Sequence, residues 1–250
     1  MSSETPLNLI IPLGGVGSRF QKEGFMQPKP FVRVLGQGMV EWLVETLRGV
    51  KPCDSLVIIY NPRFLTMENN MLRLAEKLKA KFASVKLVRL PGPTKGAAET
   101  VLYGVKELSS TELKNPCMLL DGDCFYHVNI VSKFREFAAE YVKVTDEKSW
   151  NITEIIEKVK ISNYANTGCY CFRNASELRE YIEAIMKRGE MQLSQDQKGE
   201  YYTSGVIKTM LKDKIPFKAI LVDRSDFFVL GPRRGQTEKL RGELREQEKK

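Results

Sequence analysis

The sequence predicts an α/β fold, a Rossmann-like three-layer sandwich whose central sheet is mixed but mostly parallel. Three observations carry that expectation. Short apolar runs alternate with amphipathic helical stretches through the first half of the chain, as in successive βαβ units. The runs are continuously apolar, the pattern of strands covered on both faces. A glycine-rich segment and an acidic segment each follow such a run directly, at the carboxyl edge where sheets of this kind gather ligands.

Taken in order, residues 7–12 (LNLIIP) read as the first strand and residues 39–49 as an amphipathic helix. Residues 56–60 (LVIIY) are the second strand, and Asn61 and Pro62 open a helix that runs to about residue 80. Residues 85–89 are the third strand, 96–108 a helix and 117–120 (CMLL) the fourth strand. A chain of 250 residues with 42% hydrophobic content suits one sizeable core, so residues 1–250 are expected to form a single domain.

Composition excludes several classes. The formal net charge is +8, yet the basic residues are scattered. They fall on helix faces such as residues 73–81 (RLAEKLKAK) and in residues 233–250, a charged C-terminal helix or tail where both signs mix. No basic stretch is interleaved with stacking aromatics, so nucleic acid is not an expected partner. No apolar run approaches the roughly 20 residues needed to span a bilayer, and MSSETP does not resemble a signal peptide. No membrane insertion and a cytoplasmic location are expected. Five cysteines, an odd number without zinc-ligand spacing, read as free thiols.

Residues 10–31, IIPLGGVGSRFQKEGFMQPKPF, are the most informative segment. Gly14, Gly15 and Gly17 let backbone N–H groups close on an anion, and Arg19 and Lys29 add two positive charges. The loop is neither a P-loop, which would need Lys-Ser or Lys-Thr after its last glycine, nor a dinucleotide fingerprint, which would need a glycine where Phe20 stands. An ordinary tight turn is the alternative. The acidic segment is LLDGDCFYHVN, where Asp121 and Asp123 leave a buried strand. Hard carboxylate oxygens there suit Mg²⁺, with an Asp-Gly turn as the alternative.

The run L-G-G-x-G-S-R-F followed by P-K-P-F resembles the signature loop of the sugar-1-phosphate nucleotidyltransferases, or nucleotide-sugar pyrophosphorylases. Gly15, Gly17, Ser18, Arg19, Pro28, Lys29 and Pro30 match position by position. The resemblance implies transfer of a nucleotidyl group from a nucleoside triphosphate to a sugar 1-phosphate or similar phosphoester, with Mg²⁺ as cofactor and pyrophosphate as leaving group. It implies a nucleotide-binding half over about residues 1–125 and an acceptor-binding half over about 126–232. Leu13, Gly14, Gly15, Gly17, Ser18 and Arg19 would hold the nucleotide, with Gly96 and Ala97 near base and ribose and Asp121 beside them. Arg19, Lys29, Asp123 and Lys158 would carry catalysis, Asp123 as the Mg²⁺ ligand.

Looser matches lie further on. The stretch ITEIIEK, residues 152–158, resembles the family strand ending in Glu-Lys, which implies Glu157 on the sugar and Lys158 on its phosphate; an alternating surface strand is the plainer reading. Residues 166–172 (NTGCYCF) resemble an acceptor-pocket strand carrying Asn166 and Gly168, and Glu200 borders the same pocket by resemblance. His127, the sole histidine, reads as structural, because an anionic phosphate nucleophile gains little from a general base.

Two departures stand out. The family's second metal carboxylate belongs where Val229 stands, and Asp226 is the substitute three residues away. The family's additional strand has only residues 141–151 to fill it: either 141–145 is a compressed version or a segment is absent. A missing strand would leave the protein sluggish, oligomeric as a homo-oligomer, or inactive. Two further readings therefore stand beside the enzyme: a catalytically weak nucleotide-binding regulator, and a cytidylyltransferase acting on a small non-sugar phosphoester.

Overall fold

The computed structural model describes residues 5–140, 150–157, 159–193 and 199–230. Through residue 126 the chain forms β1 (Asn8–Leu13), α1 (Ser18–Lys22), β2 (Arg33–Val34), β3 (Gln37–Gly38), α2 (Met39–Thr46), β4 (Ser55–Tyr60), α3 (Leu65–Leu78), β5 (Ser84–Arg89), α4 (Ala97–Lys106), β6 (Cys117–Leu120) and β7 (Cys124–Tyr126). It continues with α5 (Ile130–Glu140), β8 (Cys169–Phe172), α6 (Ala175–Arg188), β9 (Gln192–Leu193), β10 (Gly199–Glu200), α7 (Thr203–Lys212) and β11 (Phe227–Val229).

The apolar runs pair as expected. A five-stranded sheet has the order β5-β4-β1-β6-β8, parallel except for β8, which runs antiparallel to β6. Burial on both faces explains the lack of alternation in the sequence: β1 sends Leu9, Ile11 and Leu13 into one core and Ile10 into the other. The first core packs α2, α3 and α5 against the sheet, the second α4, α6 and α7. Each such side chain contributes about 1.5–3 kcal/mol on leaving water.

A third, smaller cluster supports the site. Phe125 on β7 and Phe228 on β11 stack with ring centroids 4.9 Å apart, and Phe20, Val32 and Met39 join them. That cluster ties Val32, just past the Pro-Lys-Pro turn, to β7 and β11. On the opposite edge, Asp54 is fully buried and Arg135 grips both of its oxygens, at 2.5 and 2.6 Å, while the Leu7 and Lys51 amides donate to the same carboxylate. Such a pair anchors the amino ends of the strands, away from the glycine loop.

Helix bounds are tighter than the sequence suggests, with α2 stopping at Thr46, three residues before Gly49, which has φ 75°. In the described part of the strand expected over 152–158, residues 152–157, no strand forms. Pairing is confined to the Asn151–Lys218 bridge and its flanking bonds, Ile152 N–H to Phe217 O and Ala219 N–H to Trp150 O. The expectations for residues 141–145, for Lys158 and for the tail 233–250 lie outside the described residues. Among the described residues no helix is long and apolar enough to cross a membrane, and all five cysteines are free thiols.

Candidate active site at the carboxyl edge of the sheet

β1 delivers the glycine loop to the carboxyl edge, and each glycine there answers a different demand. At Gly14 a Cβ would lie 2.3 Å from Thr100 Oγ1, so the loop can pass α4 only without one. The Asn61 side chain donates to the Gly14 carbonyl at 3.2 Å and fixes the exit from β1. Gly17 has φ 67° and caps α1, with Lys29 Cβ 3.1 Å from where its own Cβ would stand. Gly15 alone of the three faces open space, which leaves its backbone approachable. Ser18 and Arg19 follow, both exposed on α1, and among the described residues no carboxylate pairs with Arg19.

Lys29 crosses from the Pro-Lys-Pro turn to β6. Its Nζ lies 2.6 Å from Asp123 Oδ2 and 5.7 Å from the centre of the Phe20 ring. Two of the sequence motifs, 94 residues apart, thus meet in one half-buried ion pair. Asp121 leaves the same strand, separated by Gly122, where a Cβ would collide with Leu13 Cδ2 at 2.2 Å. Burial, then the charges of Asp123 and Glu157, push the Asp121 carboxyl up to about 7 against the opposing pull of Lys29.

Of the residues expected on the acceptor side, Gly168 lies directly against Asp121. Asp121 N–H donates to the Gly168 carbonyl at 2.8 Å, and Gly168, at φ 79°, leaves the room that the Asp121 carboxylate fills. Asn166 is spent locally: its Oδ1 accepts from Gly168 N–H at 2.6 Å and its Nδ2 donates to Cys169 O. Glu157 Oε2 accepts from Ser204 Oγ at 2.8 Å. Burial and the neighbouring Asp121 and Glu157 charges push the Tyr170 phenol up. Glu200 sits on β10, and burial, then the neighbouring Glu200, pushes the Tyr202 phenol up.

Two expectations need revision. Gly96 has the open approach that its sequence suggested, but the group that uses it belongs to the chain itself. Tyr201 packs there, its N–H donating to Lys95 O at 2.6 Å and its carbonyl accepting from Ala98 N–H at 2.9 Å. Asp226 does not join Asp123. On the β7–β11 ladder Leu230 N–H meets Asp123 O, whereas His127 N–H meets Asp226 O. The four-residue offset separates the two acids by roughly 13 Å along the strand at ~3.3 Å per residue, too far to share one ion. Val229, 46% exposed, lies opposite Cys124, next to Asp123.

A metal can therefore draw on Asp123 and Asp121 and not on Asp226. Among the described residues no three His, Cys, Asp or Glu side chains gather into a cage. Two hard carboxylates, one of them raised by burial and by the other's charge, fit Mg²⁺, which usually keeps one or two protein ligands and fills its shell with phosphate and water. Sequence reasoning missed Tyr202, Ser204 and Thr100. Only the GEYYTS stretch hinted at the first two, by bringing polar residues directly before an amphipathic helix.

Comparison with known proteins agrees with this architecture. Residues 9–154 match the family model of the MobA-like NTP transferase domain. A bifunctional sugar-1-phosphate nucleotidylyltransferase/acetyltransferase of Sulfurisphaera tokodaii is 25% identical over 206 residues, 75% of this chain and 46% of that protein. The bifunctional protein GlmU of Thermodesulfovibrio yellowstonii is 22% identical over 226 residues, 81% of this chain and 44% of that protein. The chain thus spans about half the length of the curated relatives it matches. Among solved structures, a nucleoside-diphosphate-sugar pyrophosphorylase from Vibrio cholerae superposes with a TM-score of 0.74 at 22% identity, covering 93% of this chain and 99% of that one. The CTP:phosphocholine cytidylyltransferase of Streptococcus pneumoniae gives 0.63 at 15% identity, covering 96% and 99%. The fold is that of the nucleotide-diphospho-sugar transferases.

Proposed function

The chain belongs to the MobA-like NTP transferase domain family, and from that membership we propose that it transfers a nucleotidyl group from a nucleoside triphosphate to a sugar 1-phosphate or a similar phosphate ester, releasing pyrophosphate. The observation that carries this reading is the Lys29–Asp123 contact of 2.6 Å, which joins the phosphate loop to the acidic end of β6. The chemistry is attack of a phosphate oxygen on the α-phosphorus. Its main demand is that two anions be held in line while charge on the transferred group is neutralised.

The residues divide that work. The Gly15 backbone and Arg19 hold the β- and γ-phosphates that leave as pyrophosphate. Lys29 faces the reacting phosphates, and by resemblance Lys158 would serve the acceptor's phosphate. Asp123, with Asp121 beside it, would hold Mg²⁺, which supplies charge neutralisation on the phosphates when bound. Glu157 and Glu200 orient the acceptor. Residues of about 1–125 serve the nucleotide and those of about 126–232 the acceptor, within one domain. Free thiols throughout suit the reducing cytoplasm, where nucleoside triphosphates are abundant.

Pyrophosphate release, measured across the common triphosphates with sugar 1-phosphates, phosphocholine and Mg²⁺, tests the proposal. Release with at least one pair is expected. A second reading, a nucleotide-binding regulator, is favoured by one observation: Val229 stands beside Asp123 and Asp226 lies four ladder positions off. Triphosphate binding without release under every condition would establish that reading instead.

A further inference from the structure

Ser204 stands in the first turn of α7 and is 2% exposed, so its hydroxyl must find a partner within the protein. A serine near a helix start ordinarily bonds to a backbone group of the same turn. Here Oγ donates instead to Glu157 Oε2 at 2.8 Å, across 47 residues of sequence. A second acceptor, Gln192 Oε1, lies at 3.4 Å. A hydroxyl has one proton, and the shorter contact to a carboxylate outweighs the longer one to a neutral amide, because charge on the acceptor strengthens the bond. The proton therefore goes to Glu157.

The two partners are held unequally. Val206, Ile207 and Met210 of α7 lie in the second core, and just before the helix Tyr201 N–H donates to Lys95 O at 2.6 Å while its carbonyl accepts from Ala98 N–H at 2.9 Å. Ser204 thus projects from a fixed frame. Glu157 follows a segment that is tied down by the Asn151–Lys218 bridge and by Ile155 packing on the second core, and residues 152–157 belong to no strand. A glutamate outside a ladder has several side-chain torsions to sample, so one strong hydrogen bond decides where its carboxylate points. Control runs from the helix to the acid.

We propose that Ser204 is a positioning residue for the acceptor substrate, acting through Glu157 and not on the triphosphate. The inference rests on the nucleotidyltransferase reading, in which Glu157 orients the acceptor, and it adds the group that aims that carboxylate.

Steady-state pyrophosphate release tests it, with the triphosphate and acceptor that support the fastest rate. Ser204→Ala should lower kcat/KM for the acceptor about tenfold and leave the triphosphate KM within about twofold of wild type. In a Glu157→Ala background no carboxylate remains to be aimed, and adding Ser204→Ala should then change kcat/KM for the acceptor by less than about twofold. A serine that merely supports the fold would act on both substrates and would cost the same with or without Glu157. An unchanged kcat/KM in Ser204→Ala, a comparable rise in the triphosphate KM, or a full tenfold step in the Glu157→Ala background therefore overturns the inference alone. Should alanine prevent folding, Ser204→Cys replaces it, since a thiol is close in size and a weak donor, with the same split between the two substrates expected. Absence of release by the wild-type protein with every acceptor overturns the nucleotidyltransferase reading, and this inference falls with it.

Discussion

Tyr201 occupies the space in front of Gly96: a Cβ there would lie 2.5 Å from the Tyr201 carbonyl oxygen and 2.8 Å from its nitrogen. Gly96 also holds φ 120°, a conformation that side chains rarely adopt. Gly96→Ala must then displace the strap that carries Glu200 and Tyr202. A loss of about 1–3 kcal/mol in stability is expected, together with a higher KM for the acceptor. Thermal unfolding and acceptor titrations read both. A variant with wild-type Tm and wild-type acceptor KM would show that the contact does not position the strap.

Lys29 and Asp123 act as a pair, so their removal should not be additive. Lys29→Met leaves Asp123 facing the triphosphate without its cation, and Asp123→Asn leaves Lys29 without its anchor. Each single change should lower kcat/KM by about 10²–10³-fold, and the double variant by little more than the worse single. The pair is a quarter to a third exposed, 25% at Asp123 and 31% at Lys29, so little effect on Tm is expected. Full additivity of the two losses would mean that the residues serve separate steps.

Much of this site is visible in the linear sequence, because the features concerned are local. Continuously apolar runs, a glycine loop and a Gly-Asp pair each state their geometry within ten residues or so, and β1, β4, β5 and β6 form where those runs stand. What local pattern does not carry is which element fills a gap left by a small residue. Gly96 reads as room for a ligand, and only the fold reveals Tyr201 there, about a hundred residues later. Asp226 fails for a related reason. A strand register is a relation between two segments, and the offset that puts Asp226 opposite His127 belongs to the β7–β11 pairing and not to either stretch alone. Residues 152–157 show the limit of alternation as a signal: the pattern suits a strand, yet the only ladder contact described beside it is the Asn151–Lys218 bridge.

His127 makes stability depend on mild acid. Its ring packs edge-on against Phe125 and Phe228, and its Nε2 is buried without a partner among the described residues. Burial, with help from Arg48 and against the pull of Asp226, lowers its pKa below the ordinary value. The folded state therefore resists a proton that the unfolded chain accepts near pH 6.5. That contribution is complete above the unfolded value, and stability falls as pH drops through it. Denaturant unfolding at pH 7.5 and pH 5.5 should show a smaller acid loss for His127→Phe than for wild type. Identical losses in the two proteins would assign the acid sensitivity to carboxylates elsewhere.

Val229 gives the most direct test of whether one carboxylate pair limits turnover. It lies opposite Cys124 on the ladder, adjacent to Asp123, and is 46% exposed, so an aspartate there costs little burial. Related enzymes, by resemblance, carry their second metal carboxylate at this position, whereas here Asp226 is out of reach. A carboxylate added beside Asp123 should tighten Mg²⁺ binding by charge alone, by about tenfold at half-buried sites of this kind. Val229→Asp is therefore expected to lower the Mg²⁺ concentration for half-maximal pyrophosphate release about tenfold, with kcat at saturating metal raised or unchanged. Val229→Asn supplies the control, since it matches size and polarity without the charge and should leave the Mg²⁺ requirement within about twofold of wild type. If aspartate and asparagine behave alike, position 229 does not face the ion, and the metal is served by the β6 carboxylates alone.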